Sequence, residues 1–135
     1  MNFKTEQEEF WAGEFGNEYI SRNTYDNLLA SNLGLFSRTF AQTDKPKSII
    51  EFGANVGMNL KAFRSLFPEI NLFGVEINDK AAKELKNLIG HKNVYNGSIF
   101  DFKPKNKFDV SLIKGVLIHI NPNMLHLVYK NLYLS

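Results

Sequence analysis

Ile49-Ile50-Glu51-Phe52-Gly53-Ala54-Asn55-Val56-Gly57 carries an apolar run straight into two glycines, with no proline between them. The run reads as a buried strand that enters a tight turn and then a helix, since glycine frees the backbone for such a turn. A second apolar run, Leu72-Phe73-Gly74-Val75-Glu76-Ile77, follows and closes on an acid. Strand, glycine turn, helix, strand and acid make half of a site for an adenosine-bearing ligand. The glycines admit the ligand to the backbone, and the acid accepts hydrogen bonds from ribose hydroxyls.

The glycine spacing selects among such ligands. A dinucleotide turn of the form G-x-G-x-x-G starting at Gly53 needs glycine at 55 and 58, where the chain has Asn55 and Met58. Without them a pyrophosphate loses its close approach to backbone N–H groups, which disfavours a nicotinamide-dependent oxidoreductase. No Gly-Lys-Ser/Thr follows, so the turn is not a P-loop. The pattern acid-x-Gly-x-x-x-Gly instead resembles motif I of class I S-adenosylmethionine (SAM) methyltransferases. SAM has no pyrophosphate, so fewer glycines suffice.

The chain has 135 residues, enough for one domain, and no cysteine. Disulfides, thiolate zinc sites and a cysteine nucleophile are thereby excluded, and a reducing cytoplasmic setting is the expectation. Net charge is +2, too small to argue for nucleic acid or a membrane surface. The N-terminus lacks the apolar core of a signal peptide, and no apolar run approaches the roughly 20 residues of a membrane span. His91 and His126 have no partners at metal-ligand spacing, so no metal site is expected.

Alternating strands and helices predict a doubly wound, Rossmann-like parallel sheet over residues 48–135, preceded by a helical cap or lid over 1–47. Within the cap, apolar spacing predicts helix from Glu6 to Tyr19, broken at Gly13 and Gly16, and again from Asn23 to Phe40. Strands are expected at Ser48–Phe52, Asn71–Glu76, near Val94–Asn96 and over Phe108–Ile113. The last of these is apolar enough to be covered on both faces. Helices are expected at Val56–Phe67, stopped by Pro68, and after Asn78, with Gly90 as its end. Asn121-Pro122 announces a final helix.

Candidate cofactor residues cluster at the strand ends: Glu51, Gly53, Ala54, Gly57 and Asn59 around the first turn, then Glu76 and Ile77. Each acid also has a plain reading, Glu51 as a surface charge and Glu76 as a helix N-terminal acid. Ser98 and Ile99 follow the third strand, and Lys114 the fourth. In related SAM sites an acid near the adenine usually stands where this chain has Ser98. Asp101 is the nearest carboxylate, either substituting for that acid or serving a turn. His119 is placed to be a general base toward the acceptor, or else is a packed core histidine. Phe10-Trp11 and Phe15, interrupted by glycines, suggest a lid or substrate wall. Tyr19 and Arg22 are candidates for the SAM carboxylate.

Three stretches together resemble the methylases associated with pseudaminic acid biosynthesis: Phe10 to Asn23, Glu51 to Gly57, and Lys114 to Asn123. The resemblance implies a SAM-dependent methylase acting near nonulosonic-acid or surface-polysaccharide assembly, with a small-molecule acceptor of the sugar or nucleotide-sugar class. It also implies further strands beyond Ser135, so that the fourth strand is an edge open to self-association. The alternative is a non-catalytic cofactor-half or binding module.

Overall fold

The computed structural model describes residues 2–22 and 25–135. Three helices come first, α1 (Glu6–Ala12), α2 (Glu14–Arg22) and α3 (Tyr25–Thr39). Then β1 (Ser48–Phe52), α4 (Met58–Leu66), β2 (Asn71–Glu76), α5 (Asp79–Ile89), β3 (Val94–Asn96), β4 (Val110–Ile113) and α6 (Leu125–Leu134) alternate along the chain. All strand pairs are parallel, in the order β3-β2-β1-β4. The expected start of α3 at Asn23 lies outside the described residues.

Strand alternation sorts the core into two faces. Ile49 and Leu72 point to one side, where Phe36 of α3, Leu60 and Phe63 of α4, and Leu85 and Ile89 of α5 cover them. Ile50, Phe52 and Val75 point to the other, against Ile99, Phe102 and Val128 of α6. With helices on both faces, the C-terminal strand ends offer the described sheet's crevice for a ligand. β1 leads outward to β2 and β3, while β4 returns to the other side of β1. The order therefore reverses between β1 and β4, where open α/β sheets form their ligand crevice.

Two local expectations change. Gly16 does not break a helix; it lies inside α2. A Cβ there would stand 1.9 Å from the Trp11 carbonyl oxygen, so this glycine serves the close packing of α2 on α1. β4 is half-buried along its whole length rather than covered on both faces, because it bounds the described sheet and pairs with β1 alone. Asn78 does cap α5, its side chain accepting the Ala81 N–H at 3.0 Å. The 3₁₀ turn Pro122–Met124 precedes α6, with Asn121 capping it.

Candidate cofactor and acceptor site

A cavity of about 290 Å³ opens at the C-terminal ends of the strands. Its floor is the turn after β1. Gly53 and Gly57 adopt φ of +73° and +87°, and Asn55 adopts +49°, so the turn uses left-handed backbone three times in five residues. Four N–H groups of this turn are committed within the protein. Those of Gly53 and Ala54 donate to the Val75 carbonyl at 2.9 and 3.1 Å, and that of Gly57 to the Ala54 carbonyl at 2.9 Å. The Asn55 N–H donates to Glu76 Oε2 at 2.7 Å. With these donors committed, the loop is built to approach a ligand and not to cradle a phosphate.

Glu76 ends β2 and is 7% exposed. Its other oxygen, Oε1, accepts from the Asn78 N–H at 2.8 Å. Burial raises its pKa, against the opposing pull of the Asn78, Asn55 and Ile77 N–H groups. Each carboxylate oxygen keeps a lone pair beyond the hydrogen bond it already accepts. Glu51, in β1, is 1% exposed, and its Oε1 accepts from Asn59 Nδ2. Burial pushes its pKa up to about 8, although the Asn59 hydrogen bond and the Lys114 charge oppose this and the Glu76 charge adds to it.

That displacement makes a stability prediction. The folded pKa of Glu51 lies above its ordinary value of 4.5. The unfolded chain therefore ionises first, and stability from the protonated group is complete below pH 4.5 and lost as pH rises through about 8. Thermal melts across this window are expected to fall for the native chain and to fall much less for Glu51→Gln. Parallel curves would show that Glu51 is not held protonated.

Among the described residues, the buried side-chain polar atoms without a partner are Glu8 Oε1, Glu51 Oε2, Asn55 Oδ1 and Asn59 Oδ1. All are oxygens, and all four residues line this one cavity. The wall is thus rich in acceptors and calls for a ligand rich in N–H and O–H donors.

The roof comes from the N-terminal helices, fixed at three points. Lys4 Nζ pairs with Asp101 after β3. The Trp11 ring lies 4.7 Å from the His119 ring after β4. Asn78 Nδ2 donates to the Trp11 and Ala12 carbonyls at 3.3 Å each and to Asn17 Oδ1 at 3.0 Å. The nearest carboxylate to the β3 turn, Asp101, is exposed and spent on Lys4.

Of the cofactor and catalytic candidates, Glu51, Gly53, Ala54, Asn59, Glu76, Ile77, Ile99, Lys114, His119 and Tyr19 line the cavity, as does Trp11 of the suggested lid; Phe10, Phe15 and Asp101 do not. Three of the cofactor candidates do not either. Gly57 faces α5, where an added Cβ would stand 2.7 Å from both Leu85 Cδ1 and Leu88 Cδ2, so its role is packing and backbone geometry. Ser98 is buried, and its Oγ accepts from the Phe100 N–H at 3.0 Å, capping a turn. Arg22 is exposed, pairs with Glu18 at 2.9 Å and lies over the Phe15 ring. The short i,i+4 geometry of α2 captures it. His119 is half-buried on the cavity wall and not in the core.

Glu8, Asn32, Asn55 and Asn78 also line the cavity and were not read as site residues. Glu8 hides in plain sight. Thr5-x-x-Glu8 has the form of a capping box, and Thr5 Oγ1 does accept the Glu8 N–H at 3.2 Å. The readable signal was its place one turn before Trp11 on the same helical face.

No protein-family model matches the chain, and no curated protein matches it. Solved structures do. The plantazolicin methyltransferase BpumL, in complex with S-adenosylhomocysteine, superposes with a TM-score of 0.67 at 24% identity, covering 95% of this chain and 52% of that one. A Nostoc punctiforme protein assigned to the O-methyltransferases gives a TM-score of 0.68 at 17% identity, over 80% of this chain and 34% of that one. The sugar N-methyltransferase KedS8 from Streptoalloteichus gives 0.60 at 15% identity, over 90% and 48%. The chain thus spans between a third and about half of these proteins. Its fold is the Rossmann-like α/β fold of the class I SAM-dependent methyltransferases.

Proposed function

We propose that this chain binds SAM and serves methyl transfer to a small-molecule acceptor of the sugar or nucleotide-sugar class, in nonulosonic-acid or surface-polysaccharide assembly. The observation that carries the reading is the pair of buried carboxylates, Glu51 and Glu76, at the ends of adjacent strands beside the Gly53 turn. Glu76 offers its remaining lone pairs to the ribose hydroxyls. Glu51 Oε2 and Asn59 Oδ1, both without donors, suit the cofactor's ammonium. Ile77 and Ile99 offer apolar contact to a flat base, and Lys114 and Tyr19 stand at the cavity for its carboxylate. When bound, the cofactor supplies an activated methyl group.

The chain's own task is then alignment and exclusion of water, which together supply several kcal/mol. The aromatic roof at Trp11 excludes solvent, and His119 takes a proton from the acceptor. The sugar class rests on the resemblance of the N-terminal and Lys114–Asn123 stretches, and the sugar N-methyltransferase neighbour agrees with it. Self-pairing along the free edge of β4 belongs to the same proposal, with sedimentation as its measure.

Calorimetric titration with S-adenosylhomocysteine and with NAD tests the cofactor. The first is expected to bind and the second not. An ammonium beside Glu51 favours its ionised form, so binding at pH 7 is expected to release a proton in buffers of different ionisation enthalpy. Tighter binding of NAD would refute the reading.

A further inference from the structure

We propose that the methyl acceptor is an amine, recognised as its ammonium by Glu8 beneath Trp11. The inference rests on the SAM reading above and adds the substrate class. Glu8 sits on α1 between the tie of Lys4 to Asp101 and the tie of Trp11 to His119, so it faces the cavity from the roof. It is 7% exposed. Its Oε2 accepts the Lys4 N–H at 2.5 Å, while its Oε1 is buried without a donor.

An ionised carboxylate buried without donors or an opposite charge costs several kcal/mol, so the undonated Glu8 oxygen favours a ligand that brings both. The cofactor's ammonium is assigned above to Glu51 and Asn59; its adenine amine is a donor without charge, and its sulfonium a charge without an N–H or O–H donor. A cationic acceptor provides both. Trp11, three residues on and on the same face of α1, adds an aromatic surface of the kind that attracts ammonium groups. His119 lies against that ring.

The step balances with these groups alone. The ammonium gives one proton to the His119 imidazole, and its nitrogen recovers a lone pair. That pair forms the bond to the methyl carbon as the methyl–sulfur bond breaks, its electrons passing to the sulfur. The product is a methylammonium, which Glu8 holds as it held the substrate.

Sinefungin is the probe, because it carries an amine-bearing carbon where SAM carries the methylsulfonium. The native chain is expected to bind sinefungin at least about tenfold more tightly than either S-adenosylhomocysteine or SAM, the range of a charge-assisted hydrogen bond. In Glu8→Gln the preference is expected to fall to within about twofold, with S-adenosylhomocysteine affinity unchanged. The first comparison uses the native chain and stands even where the variant fails to fold. Equal affinities in the native chain overturn the proposal. So does a variant that loses both ligands by the same factor, which would give Glu8 to the adenine. Equal gains for SAM and sinefungin reduce Glu8 to a field on the sulfonium and overturn it as well. Failure of the native chain to bind S-adenosylhomocysteine at all refutes the cofactor reading itself and the inference with it.

Discussion

Glu76→Ala is expected to weaken S-adenosylhomocysteine binding by at least about tenfold, the equivalent of one lost charge-assisted hydrogen bond. The expected effect is large because Glu76 does two things. It faces the cavity with lone pairs to spare, and it holds the Asn55 and Asn78 N–H groups at 2.7 and 2.8 Å. Asn55 is, among the described residues, the non-glycine residue in left-handed backbone, and Asn78 both caps α5 and ties down α1 and α2. The alanine variant is therefore expected to lose thermal stability as well. Titration and melting separate the two losses, since S-adenosylhomocysteine should still raise the melting temperature of the native chain and no longer that of the variant. Unchanged affinity would remove Glu76 from the cofactor site.

Gly16→Ala is expected to release the roof of the cavity. Intrinsic helix propensity alone favours alanine inside α2 by about 1 kcal/mol. Packing opposes it more strongly. The new Cβ would stand 1.9 Å from the Trp11 carbonyl oxygen, 2.9 Å from its carbon and 2.9 Å from Asn78 Nδ2. A side chain can turn aside, but a backbone carbonyl moves only with its helix. Overpacking of this kind costs about 1–3 kcal/mol, so α1 is expected to lift from α2 and from Asn78. Trp11 is the one tryptophan of the chain, and its emission reports the change directly. A shift to longer wavelength, with weaker S-adenosylhomocysteine binding and near-native far-UV circular dichroism, is the expected result. An unshifted emission with raised stability would show that α1 and α2 are not packed through this glycine.

Local chemistry was legible where it dominates. The strand–turn–helix around Gly53 needs glycine for its left-handed backbone, and the β-α-β order that follows favours the parallel pairing that places Glu51 and Glu76 on neighbouring strands. Asn78 as a cap and Gly90 as a helix end follow from backbone donors and acceptors that have few other partners. Arg22 misled because a guanidinium suits a carboxylate ligand, yet Glu18 one turn away claims it first. Ser98 misled because its hydroxyl serves the nearest N–H of its own turn. Gly57 was placed in the right turn for an incomplete reason, since its missing Cβ makes room for Leu85 and Leu88 of α5.

By itself the sequence determined the order of elements, the parallel sheet and the two acids at the strand ends, because periodicity, glycine and proline act over a few residues. The tertiary structure alone decided which polar groups share the cavity. Glu8 lies far from Glu51 and His119 along the chain, and its ordinary fate near a helix start is solvent. Only the docking of α1 across the strand ends, through Asp101, His119 and Asn78, buries it and leaves one oxygen without a donor. Burial is a property of the assembled fold, and the demand for a donor arises only once water has been removed.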